Sequence, residues 1–142
     1  MTRREWLSVL AQTRPAVLAD LAAPVEASGR VEVIRPAARG LLLATVEESV
    51  EGAAFHPGEV LVTTCEVRMG GALGQAIILG ADDEKARHCA VLDAALQAGW
   101  PESPRILGAL GAEQAFLAGA RQAERERMQA TRVHFDTMDP ER

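Results

Sequence analysis

Between Thr2 and Gly29 the apolar positions recur at three- and four-residue intervals, and from Val31 the period falls to two. Helices should therefore come first and strands after them. Thr2 and Glu5 have the spacing of a capping box, in which the hydroxyl accepts from the Glu5 amide and the carboxylate reaches back to the cap. That box opens an amphipathic helix with Trp6, Leu7 and Leu10 on its apolar side. Pro15 suits the first turn of a second short helix, because its missing donor would go unpaired there anyway. Val17, Leu18 and Leu21 supply the buried stripe of this helix, and Pro24 and Gly29 bracket its end.

In the period-two region, Val31 with Val33 and Leu41 with Leu43 read as two strands, and the Pro36 to Gly40 stretch reads as the hairpin connection between them. A polar loop with Glu47, Glu48 and Glu51 follows. From Glu59 to Met69 the alternation puts Leu61, Thr63, Cys65, Val67 and Met69 on one face and Val60, Val62, Thr64, Glu66 and Arg68 on the other. Gly70-Gly71 permits a tight turn, after which Leu73 to Leu79 reads as a fourth strand. The expected class is α+β, with a four-stranded antiparallel meander, two N-terminal helices, a helix after the sheet and a long C-terminal helix.

Asp82, Asp83 and Glu84 complement the positive end of the helix after the sheet, which runs to about Gln97 with Cys89, Leu92 and Leu96 on its inner face. Gly99-Trp100-Pro101 ends it, and the stretch through Gly111, which includes Pro104, reads as a connector. The last helix is expected from about Ala112. Its stripe of Ala112, Phe116, Ala120, Ala123 and Ala130 is mostly alanine, and Gly119 costs it about 1 kcal/mol. With no internal repeat, residues 1–142 are expected to form a single domain.

Composition narrows the function classes. Aliphatic and charged proportions are those of a chain that folds. Two Trp, three Phe and no Tyr leave few stacking platforms for nucleic acid, and a net charge of −5 repels phosphate backbones and anionic lipid. No apolar run reaches the length of a signal core or membrane span, so the expected location is the cytosol. Cys65 and Cys89 match neither a Cys-x-x-Cys pair nor a disulfide framework, which points to free thiols in a reducing compartment.

Candidate chemistry is sparse. His56, His88 and His134 with the two cysteines lack the spacing of a closed zinc site, and His88 and Cys89 point about 100° apart on one helix. The cysteines are expected in the core, on the apolar faces of their elements, without the cationic neighbours that activate a thiolate. The Gly70-Gly71-Ala72-Leu73-Gly74 stretch could cradle an anion with Arg68 as clamp, but lies between strands and lacks the lysine of a phosphate loop, so a hairpin turn is preferred. The Asp82-Asp83-Glu84 run is read as a helix start rather than a divalent-metal site. The Arg121 to Arg127 run, with Arg121/Glu124 and Glu124/Arg127 at helical-neighbour spacing, is either a solvated face or a docking face. Docking gains weight because Phe116, Leu117, Val133, Phe135 and Met138 have little to cover them.

Several blocks, in this order, resemble the PhnG family: Arg4-Glu5-Trp6-Leu7-Ser8-Val9-Leu10-Ala11, then Glu32-Val33-Ile34-Arg35 with Gly40, then Gly58 to Met69. The likeness continues in Gly80 through Lys85 to Cys89-Ala90-Val91-Leu92-Asp93-Ala94, and in Ala130-Thr131-Arg132-Val133 with Phe135, Thr137 and Met138. The resemblance implies a subunit of the bacterial carbon–phosphorus lyase machinery, acting with PhnI, PhnH, PhnJ and PhnL. It implies a part in the step where a phosphonate displaces adenine from ATP, both being substrates of the parent complex. No cofactor, metal or catalytic residue is implied for this chain. The rival readings are a stand-alone phosphate-ester enzyme built on Gly70-Gly71 and Arg68, and a homodimeric scaffold.

Overall fold

A computed structural model describes residues 1–47 and 54–132. Among them the elements run α1 (Arg3–Gln12), α2 (Pro15–Ala27), β1 (Val31–Glu47), β2 (Ala54–Met69), β3 (Ala72–Leu79), α3 (Asp83–Gln97) and α4 (Ser103–Ala130). The class is α+β, as expected. The strands form one antiparallel sheet in the order β1-β2-β3.

The sheet has three strands rather than the expected four, because Pro36 to Gly40 does not turn. Val31 and Leu43 belong to one strand that keeps its pairing with β2 from Val31↔Met69 to Leu43↔Glu59. Register shifts between Val33 and Arg35 and between Arg35 and Ala38 absorb the proline in bulges. An edge strand tolerates this, since an amide facing away from the sheet has no partner to lose. The strand expected from Glu59 begins already at Ala54. Glu48 and Glu51 of the expected polar loop lie outside the described residues.

Thr2 and Glu5 form both halves of the predicted capping box at the start of α1. Helix α2 passes through Pro24 instead of ending there, because Leu21, Ala22 and Val25 are all buried around it. It stops at Gly29, whose φ of 71° is open to a residue without Cβ. The expected connector up to Gly111 is also helical: α4 starts at Ser103 with Pro104 in its first turn. Ile106 and Leu110, one turn apart, are both buried. Their burial, each worth about 1.5–3 kcal/mol, outweighs the roughly 1 kcal/mol helix cost of each glycine between Ile106 and Ala112.

Helix α3 is the centre of the molecule. It carries buried residues on every side, including Ala90, Val91, Leu92, Ala94 and Ala95 as well as the expected Cys89 and Leu96. The sheet lies against one side and α1, α2 and α4 touch it elsewhere. Cys65, Val67 and Met69 of β2 face it as the alternation predicts. Leu61 does not, and is exposed, because β2 has by then run past the helix layer.

Gly74 sets the distance between sheet and helix. A Cβ there would lie 2.0 Å from the Ala90 carbonyl oxygen and 2.7 Å from the Ala94 Cβ. Its φ is ordinary, so the requirement is space rather than conformation. Gly70 serves the other purpose, turning β2 into β3 with a φ of 58°. Gly74→Ala should therefore destabilise the fold by about 3 kcal/mol, at the upper end of overpacking costs, because the obstructing atoms are backbone. A urea titration should show a lower midpoint with an unchanged slope, whereas an alanine at Gly111, where nothing lies within 4 Å, should not lower it.

Candidate functional site

Asp93 on α3 has a fully buried carboxylate that accepts hydrogen bonds from three residues. Arg3 holds it with two bonds, from Nε at 3.2 Å and Nη2 at 3.0 Å. Trp6 donates its indole Nε1 at 2.9 Å, and the backbone amide of Gln75 donates at 3.0 Å. Four donors replace the water that burial removed, which is the condition for keeping a carboxylate inside a protein. The same bonds hold the Arg3 guanidinium above its ordinary pKa. Sequence reasoning passed over Asp93; the available signal was a lone acid inside the run Ala90-Val91-Leu92-Asp93-Ala94-Ala95-Leu96.

A second clamp closes the other end of α1. Glu113 of α4 is buried and accepts from the Arg14 backbone amide at 3.3 Å and from its Nε and Nη2. The Arg14 guanidinium, stacked 4.1 Å over the Phe116 ring, holds the Glu113 carboxyl below its ordinary range through these hydrogen bonds. Both carboxylates act as fasteners between elements.

The residues singled out from the sequence do not converge. Cys65 and Cys89 are free thiols in the core. Burial pushes the Cys65 thiol up and that of Cys89 to about 12, so neither is a nucleophile near neutrality. Cys89 Sγ instead donates weakly to the Leu10 carbonyl at 3.4 Å. His88 is buried and borders a shallow depression with Asp82, Glu84 and Lys85 that contains no hydroxyl or thiol. His134 lies outside the described residues. Among the described residues no three metal-ligating side chains cluster.

Gly70 and Gly71 form the hairpin turn, and the cation beside them is Arg30, not Arg68, which lies exposed opposite Glu32 and Leu73. Asp82 caps α3 by accepting from the Lys85 amide at 3.0 Å. Of the two expected pairs on α4, Glu124 and Arg127 meet at 2.5 Å, while Arg121 donates to Gln12 instead. Val133, Phe135 and Met138 lie outside the described residues.

The uncovered apolar side chains stand out instead. Strand β3 pairs with β2 only from Val62 to Met69, so beyond Val62 the first two strands continue as a two-stranded ribbon. Leu41, Leu42, Leu43 and Leu61 of this ribbon are 61%, 48%, 59% and 42% exposed. Consecutive strand residues face opposite ways, so both faces of the ribbon carry leucine. On the sheet's outer face, Ile77 and Leu79 of β3 are 62% and 79% exposed. No helix among the described residues is long and apolar enough to cross a membrane.

These features define a small α+β protein whose described surface offers uncovered aliphatic side chains, while its thiols and strongest ion pairs are turned inward. The family of the phosphonate metabolism protein PhnG matches residues 1–139. The chain belongs to the PhnG family, and its role lies in phosphonate metabolism.

Both cysteines should resist iodoacetamide at pH 8 in the native protein and react when it is unfolded in guanidinium, followed by intact mass; rapid labelling of the folded chain would show a thiol that burial does not protect. Glu113 links stability to acid. Its folded pKa lies below the ordinary 4.5, so its contribution is complete above that value and is lost as pH falls through the lowered one. The urea midpoint of Glu113→Gln should therefore lie below that of the wild type at pH 7, and the gap should narrow steadily below about pH 4.5.

Proposed function

We propose that this chain is a single-domain subunit of the carbon–phosphorus lyase core complex, required for the step that makes α-D-ribose 1-methylphosphonate 5-triphosphate. In that step a phosphonate oxygen bonds to C1′ of the ATP ribose as the bond to adenine breaks, and adenine leaves with the bonding electrons and takes up a proton. A PhnI-like subunit is the direct partner, with PhnH-, PhnJ- and PhnL-like subunits in the same assembly. ATP and the phosphonate are bound by the assembly, and this chain contributes no cofactor or metal of its own. It works in the cytoplasm, and neither nucleic acid nor membrane is among its partners.

The observation that carries this reading is the pair of leucine-bearing faces on the β1–β2 ribbon. A two-stranded ribbon is marginal by itself in water, and leucines on both faces make it a surface that another polypeptide stabilises by covering. The family match supplies the pathway. The buried thiols and fully bonded Asp93 fit a supporting part in chemistry performed elsewhere in the assembly, since a subunit accelerates a neighbour's reaction by holding its geometry. The stand-alone reading loses Arg68 as its anion clamp, because the arginine that lines the depression at Gly70-Gly71 is Arg30.

Alone, the purified chain should release no adenine from ATP and methylphosphonate. Combined with its PhnI-, PhnH- and PhnL-like partners it should be required for that release, as read by chromatography with each component omitted in turn. Adenine release by the single chain, or undiminished release by the partners without it, would overturn the reading.

A further inference from the structure

The two edges of the sheet are built differently. Strand β1 carries Pro36, Arg35 and Arg39 and breaks register three times along its pairing with β2. These are the devices that keep an edge from pairing with another chain. Strand β3 has none of them: its eight residues, Ala72 to Leu79, include no charge and no proline, and its register with β2 is unbroken.

The direction of its peptide groups follows from the ladder. The Gly80 amide donates to the Leu61 carbonyl at 2.8 Å, so the peptide groups of Gly80, Ile78 and Ala76 face β2, and those of Leu73, Gln75, Ile77 and Leu79 face outward. Two of the outward groups at the start of the strand are already used. Gln97 donates to the Leu73 carbonyl at 2.7 Å, and the Gln75 amide is bound to Asp93. The peptide groups of Ile77 and Leu79 find no protein partner among the described residues. Beside them, between the strand and α1, lies a groove of about 220 Å³ lined mainly by aliphatic side chains, Leu7, Leu10, Ile77 and Ile78 among them, together with Gln75 and the Cys89 thiol.

We propose that this half-edge and groove receive an extended segment of a companion subunit, which adds to the sheet next to β3 and places one bulky uncharged side chain in the groove. The proposal rests on the subunit reading above and names the surface. Outward peptide groups select a strand over a helix, whose own amides are internally bonded. The groove selects an uncharged residue, because no residue that lines it carries a charge to pair with one. A second copy pairing through its own β3 does not fit, since the residues it would direct toward the groove are Ala76 and Ile78, both already buried in that copy's core. The added strand would also cover the exposed Ile77 and Leu79 side chains on the outer face.

Two variants test the edge without disturbing the core. Ile77→Pro removes an amide that β2 does not use, and Ile77→Lys places a charge on an exposed position of the edge. The full chain is co-expressed with the PhnI-like chain, and amide exchange at Ile77 and Leu79 is followed by mass spectrometry. In the complex these amides should exchange at least about 100-fold more slowly than in the free chain, and each variant should weaken capture about 10-fold or more. Assembly of Ile77→Pro at wild-type yield, with both amides as fast in the wild-type complex as in the free chain, would overturn this proposal alone. Failure of the wild type to assemble at all would overturn the subunit reading and this one with it. Protection already present in the free chain would overturn it too: loss on removing residues 133–142 would assign the edge to the chain's own terminus, and a dimeric mass to a second copy.

Discussion

A carboxylate taken out of water must recover its hydrogen bonds from the protein, and at Asp93 that requirement organises the fold. The bonds come from Arg3 and Trp6 on α1 and from the Gln75 amide on β3, so one side chain on α3 ties the neighbouring strand to a helix some ninety residues away in sequence. None of those donors is spare. Removing the carboxylate would leave the Trp6 and Gln75 donors without their acceptor in part-buried surroundings, which costs more than the bonds themselves contribute. The position of α1 follows, and with it the groove beside β3. The same bond takes the outward Gln75 amide out of play, while the peptide groups of Ile77 and Leu79 have no partner among the described residues.

Around this anchor the packing is aliphatic and close. Gly74 brings β3 against the backbone of α3, and alanines at 86, 90, 94 and 95 let the helix be buried on every side. The Arg14–Glu113 pair extends the same arrangement to α4. Beyond Glu113 that helix meets Arg14 through Phe116 and Gln12 through Arg121, and its residues from Ala118 to Ala130 are exposed. The molecule thus divides into an inner half fastened by two buried carboxylates and an outer half made of a leucine-bearing ribbon, an open edge and a projecting helix. For a member of the PhnG family, that division puts the uncovered apolar side chains of the described residues in the outer half.

Local chemistry was legible wherever it acted over a few residues. The Thr2–Glu5 box, Pro15 in a first turn, the Gly70-Gly71 hairpin and the Asp82 cap are all present, because each is decided by hydrogen bonds within one turn. The misreadings share a cause. Along the chain Pro36, Pro24 and the glycines at 108 and 111 read as breaks, yet each lies where burial or edge position offsets its local cost.

By itself the sequence determined the α+β class, the order of helices and strands, the inward placement of Cys65 and Cys89, and, by resemblance, the family. These depend on periodicity and local bonding, which are written along the chain. Only the tertiary structure decided that Val31 to Glu47 is one strand, that α4 begins at Ser103, that Asp93 joins three elements and that the Ile77 and Leu79 peptide groups of β3 lack a partner among the described residues. Each is settled by what lies across space from a residue: a neighbouring strand for Pro36, a core for Ile106 and Leu110, an arginine ninety positions away for Asp93. A linear pattern carries no information about those neighbours until the chain has folded.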